Sequence, residues 1–269
     1  MLKYLIPEKD EIFDFLIIIL VISLLFSITI SQFEPELNFI PTLITVTIFI
    51  SILLISRLII MKLHAYKNAF KLTLYQTKFS RYGPRKFDTI TAFTRDYGQY
   101  PIKEIPSSVL AILIYILTFG FIVFPGLWRY KREKIPHRFI GTMQKYEYKM
   151  PIMYPRNVTD YRVMKTLFVG YIYYFFSGIL IKHIFGSTEM FYWLFFINFW
   201  IAGFSLLPII GTEGYDFFKY SRIAYYAAVV ILLIGSISIL LIDSIIYTLL
   251  TVAIIGFIVY FIIFYKYLL

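Results

Sequence analysis

Cysteine is absent from the 269 residues, which excludes disulfide frameworks, thiolate metal sites and a cysteine nucleophile. Histidine is scarce, with only His64, His137 and His183. Any metal would therefore depend on His and carboxylates, and paired axial ligands for a haem inside the apolar segments are lacking. Charged residues make up 16% of the chain, against roughly 25% in an ordinary soluble domain. There is no GxGxxG, no phosphate loop, no GxSxG and no intact HExxH, so the usual nucleotide-binding and hydrolytic signatures are missing.

What fills the space is apolar: 59% of residues are hydrophobic and 20% aromatic, and the mean hydropathy is +0.75. A water-soluble fold could not hide that much apolar surface. Runs long enough to cross about 30 Å of hydrocarbon as helices fall at 12–30, 39–61, 166–185, 190–210, 223–242 and 245–265, with a further run at 107–128. The expected fold is all-α, a single polytopic membrane domain over 1–269. It divides into an N-terminal hairpin (1–61), a basic loop (62–106), a core (107–222) and a C-terminal hairpin (223–269). Arg57 and Lys62 close the second run, where long stems reach the interface. Tyr171, Tyr173, Tyr174, Tyr192, Tyr225 and Tyr226 lie near segment ends, as an aromatic belt does.

The formal net charge of +10 is concentrated in 62–106 and 129–165. Lys and Arg gather in cytoplasmic loops, so both connections belong on that side. One crossing between them would forbid this. If 107–128 instead enters and leaves on the same face, broken at Gly120 and Pro125, six spans result, with both termini cytoplasmic in a cell membrane. Seven spans with one translocated basic loop is the alternative. The basic connections abut spans, as orientation signals do, and favour anionic lipid headgroups over nucleic acid.

Two stretches depart from plain membrane helix. In 205–221, SLLPIIGTEGYDFFKYS, Pro208, Gly211 and Gly214 interrupt an apolar helix around Glu213 and Asp216, so a carboxylate can face a cavity beside a broken helix. In 133–150, EKIPHRFIGTMQKYEYKM, Glu133 and His137 are four apart, a spacing that on a continuous helix suits a cation such as zinc. Together these stretches resemble the site-2 protease family of intramembrane zinc metalloproteases, most closely its short archaeal branch. That family carries HExxH on one helix and, past a membrane hairpin, Asn-Leu-Leu-Pro-x-Pro-Pro-Leu-Asp-Gly, whose Asp is the third zinc ligand. Here Pro208 and Gly214 keep their places and Glu213 stands where that Asp would be.

The resemblance implies His137, Glu213 and Glu133 as metal ligands, with zinc as the cofactor if any is bound. The departures weigh against chemistry. Aligned on His137, the first His becomes Glu133 and the general base becomes Lys134, which cannot deprotonate a metal-bound water as a carboxylate would. Pro136 cannot sit inside a helix without losing a backbone bond. The expectation is a non-catalytic relative, with no cofactor, that holds a membrane helix or lipid in a cleft near Glu213. Its rivals are an active intramembrane metalloprotease and a structural subunit or assembly factor of a larger membrane complex. If the scaffold is kept, the stretches around His137 and Glu213 approach each other within roughly ten ångströms without an intact tetrahedral site.

Overall fold

The computed structural model describes residues 7–68, 70–82, 101–125, 128–134, 160–186, 188, 190–208, 212–242 and 244–254. The described helices are α1 (Lys9–Phe33), α2 (Phe39–Lys67), α3 (Ser107–Leu117), α4 (Asp160–Phe185), α5 (Met190–Leu206), α6 (Glu213–Tyr220), α7 (Arg222–Leu241) and α8 (Ile245–Ile254). Four of them, α1, α2, α4 from Arg162 and α7, are long and apolar enough to cross a membrane. Four strands accompany them: β1 (Phe70–Gln76), β2 (Lys78–Tyr82), β3 (Pro101–Pro106) and β4 (Trp128–Lys134). They form two antiparallel ribbons, β1 with β4 and β2 with β3, inside the connections expected as plain basic loops.

The helices are sorted in the sense that hydrocarbon demands. On α2 the stripe Ile40, Ile44, Ile48, Ile52, Ile55 and Ile59 is exposed, while Arg57 and Lys62 are buried with Val46, Ile50, Leu54 and Met61. Exposed apolar faces of this extent are a liability in water and cost nothing in lipid. Charges inside a span face the bundle and pair there. Polar clamps tie the α4–α5 hairpin together: Asn198 donates to the Tyr174 carbonyl (2.9 Å), and Ser177 donates to Asn198 Oδ1 (2.7 Å).

The β1–β4 ribbon docks on α1 through its outer edge. Antiparallel pairing uses alternate N–H groups and leaves the others unpaired, a hazard at any sheet edge. Here Glu11 accepts from Leu74 N–H (3.0 Å) and Asp14 from Gln76 N–H (3.0 Å). Glu11 also accepts from Lys62 (2.7 Å), so one buried carboxylate joins α1, α2 and the ribbon. Lys62 is thus an internal partner, and its stem does not reach outward as the sequence suggested.

The 107–127 excursion starts and ends at neighbouring points of these ribbons. Ser107 N–H donates to the Thr77 carbonyl, and the next residue back, Gln76, is the register partner of Trp128. Helix α3 stops at Leu117, and the chain reverses through Phe119 (φ 51°) and Gly120 (φ 84°). A glycine suits Gly120 twice over, since a Cβ there would lie 2.9 Å from Gln32 Oε1. The reversal meets its own backbone needs. Gly120 N–H donates to the Tyr115 carbonyl, Phe121 N–H to the Thr118 carbonyl and Ile122 N–H to Thr118 Oγ1, while Val123 O accepts from Trp200.

Candidate functional site: a buried guanidinium–carboxylate centre

Helix α5 ends at Leu206, two residues before Pro208. Its last carbonyls are taken by tyrosine hydroxyls, Tyr171 donating to Ser205 O (2.9 Å) and Tyr225 to Leu206 O (3.0 Å). The chain resumes as α6, capped by Thr212, whose Oγ1 accepts from Tyr215 N–H. Glu213 and Asp216 occupy the first turn, where acidic side chains are favoured by the helix dipole. Gly214 is required by close approach: a Cβ there would collide with the Leu206 carbonyl and stand 2.7 Å from that of Leu207. Both are backbone atoms that cannot step aside. Gly214→Ala should therefore cost about 1–3 kcal/mol by overpacking. By contrast Gly203→Ala, with nothing within 4 Å of the new methyl, should gain up to about 1 kcal/mol in helix propensity. Thermal unfolding of the two variants in one detergent checks the opposite signs.

Glu213 is buried, and both of its oxygens are engaged. Oε1 accepts from Arg57 Nη2 at 2.5 Å and Oε2 from the Trp128 indole N–H at 3.3 Å. The guanidinium is held on every side: Nε donates to the Gly170 carbonyl (3.3 Å) and Nη1 to the Tyr130 hydroxyl (3.1 Å). Its carbon lies 4.8 Å from the Tyr174 ring centre and 5.6 Å from that of Tyr171, within cation–π range. Tyr171 stacks in turn on Phe217 of α6. Arg57 is 1% exposed, Tyr171 1% and Tyr174 0%, so these groups form the inner wall of the centre. Arg57, Tyr171 and Tyr174 are thus interior residues and not the interfacial ones expected from their places near segment ends. Burial pushes the Glu213 carboxyl above the usual carboxylate range, opposed by Arg57 and by the Trp128 N–H.

A second pair flanks the first. Asp216, also buried, takes Arg129 in a two-pronged contact, Nε to Oδ2 at 3.1 Å and Nη2 to Oδ1 at 3.0 Å. Burial works against the Arg129 charge and Asp216 outweighs it, raising the guanidinium above its ordinary value. Strand β4 therefore delivers Trp128 to Glu213, Arg129 to Asp216 and Tyr130 to Arg57, the partner of Glu213.

The residues assembled here do not suit a zinc ion. Facing Glu213 from α2 is Arg57, and Met61, one turn on, packs with it against Gly170 of α4. A Cβ at Gly170 would lie 2.6 Å from Met61 Sδ and 3.2 Å from Arg57 Nη2, which places both on one side of α4. A guanidinium has no lone pair to give, and its charge opposes a dication. Among the described residues no group of three His, Asp or Glu side chains converges for a metal. The void beside Arg57 is about 10 Å³, close to the minimum for a single water. Of the other sequence candidates, Glu133 lies on strand β4 opposite Lys71. His137 and Gly211 lie outside the described residues, as does the approach of His137 to Glu213. Pro208 is exposed between α5 and α6, and Gly214 and Asp216 are buried in α6. His64 bonds Thr166 Oγ1 (2.9 Å) and Asn68 (3.1 Å).

Comparisons with family models, with curated proteins and with solved structures found no match.

Proposed function

We propose that this chain is a multi-pass membrane protein on a site-2-protease-like scaffold, in which a buried ion pair takes the place of the metal centre. It would act without catalysis, holding a lipid or a membrane helix. The observation that carries this is the contact of Glu213 with Arg57. The resemblance assigns Glu213 to the third-ligand position and pairs it with two histidines four apart on another helix. The α2 position that bonds Glu213 holds Arg57, a residue that cannot ligate a metal. A guanidinium bonded directly to the carboxylate supplies the positive charge that a dication would, without Lewis acidity or a coordinated water. Reconstituted with zinc and a labelled transmembrane peptide, the wild-type protein should leave the peptide intact. Chelator-sensitive cleavage would return the enzyme reading.

The same reading takes 107–127 as a re-entrant segment between six spans, with both basic connections and both termini cytoplasmic. Its support is the return of the chain to adjacent ribbon positions and the internal satisfaction of the reversal, which membrane depth requires of non-helical backbone. Single cysteines at Arg85 and Lys145, introduced into a chain that has none, should react with an impermeant reagent from the same side. Reaction from opposite sides would leave seven spans.

A further inference from the structure

A cavity of about 770 Å³ opens between the C-terminal end of α1, the returning segment at Phe121 and Val123, α5 and α7. That volume is typical of small-ligand sites. Its floor is an aromatic stripe of α5, Trp193, Phe196 and Trp200 at helical spacing, with ring centres 6.4 and 5.0 Å apart. At one end stands Glu34, the residue that caps α1. Its Oε1 accepts from Trp193 N–H at 2.7 Å, and no cationic side chain pairs with it among the described residues. The Phe33 ring lies 6.2 Å from Trp193, and Tyr192 lines the same mouth.

We infer that this cleft is a lipid site that takes one acyl chain along the α5 stripe and an ammonium-bearing headgroup at Glu34. The inference rests on the membrane reading above. A carboxylate framed by aromatic rings without a paired cation is complementary to an ammonium group, which aromatic faces also attract. The depth selects a lipid over a protein helix. From Trp193 to Trp200 the floor runs about 10 Å, and its far end meets Val123, whose carbonyl accepts the Trp200 N–H. That fits within one leaflet, about half of the 30 Å that a membrane helix must cross. Val123 and Phe121 belong to the 107–127 segment, so the reversal that marks that segment also shapes the site.

Two of the three tryptophans, Trp193 and Trp200, line the cleft, and Trp128 is buried at the ion-pair centre, which makes quenching by brominated acyl chains the direct test. In vesicles of phosphatidylcholine and phosphatidylglycerol, with one or the other brominated, wild-type fluorescence should be quenched more by brominated phosphatidylcholine. The expected selectivity is about two- to fivefold, the range of an exposed cation–π contact. Glu34→Gln should equalise the two lipids while quenching persists. Ser236→Phe, which fills the cleft from α7, should reduce quenching by both. Equal or reversed headgroup preference in the wild type, selectivity that survives Glu34→Gln, or quenching unchanged by Ser236→Phe would each overturn the site. Displacement of brominated lipid by a lysine-flanked transmembrane peptide would assign the cleft to a helix instead. None of these outcomes touches the ion pair, whose test is metal content and cleavage.

Discussion

Arg57→Met should lower stability by about 3–5 kcal/mol, because it strands a buried carboxylate without its counter-charge. Glu213→Leu should cost a comparable amount, since it leaves a buried guanidinium with neutral partners only. Replacing both, as Arg57→Met with Glu213→Leu, should recover most of the loss, and the double variant should lie within about 1–2 kcal/mol of the wild type or above it. A pair of this kind contributes less to stability than to a unique arrangement of the elements that meet there: α2, α4, α6 and β4. Unfolding in mixed micelles for the wild type and three variants gives the coupling energy. Losses in the single variants that simply add in the double would show that the two residues do not act as a pair.

The spans and their interruptions were legible from local pattern. The apolar runs at 12–30 and 39–61 lie inside α1 and α2, the run at 223–242 overlaps α7 to its last residue, Leu241, and the predicted break at Gly120 falls where the backbone turns left-handed. The ribbon was legible in principle: Phe70, Leu72 and Leu74 alternate with Lys71, Thr73 and Tyr75, a period of two. It was obscured by the charge of the surrounding loop. Arg57 was misplaced for a physical reason. With the second span ended at 61 it lies near an interface, but α2 runs to Lys67, which puts Arg57 ten residues, or about 15 Å, from the helix end. An arginine that far inside an apolar helix calls for a partner within the bundle, and an ionisable residue within such a run is the signal that marks a site. Its partner, 156 positions away, leaves no trace in local spacing. Glu133 lies on strand β4, in keeping with the expectation that Pro136 leaves it outside a helix.

The central claim, that a guanidinium occupies the place of a metal, is tested most directly by converting one into the other. Arg57→His with Met61→His puts two imidazoles four apart on the face of α2 that meets Gly170, one of them at the position now bonded to Glu213, to complete with that acid the two-His-one-carboxylate set that zinc accepts. Imidazole is shorter than the arginine side chain, and two metal bonds of about 2 Å each make up the difference across the present 2.5 Å contact. Zinc per chain, measured by elemental analysis after purification and dialysis against trace metal, should rise from none in the wild type to one in the double-His variant. It should fall back when Glu213→Leu is added. The variant should remain inactive, because Leu58, which follows Arg57, offers no carboxylate base next to the first ligand. One zinc per wild-type chain, lost in Glu213→Gln or in His137→Ala, would contradict the account.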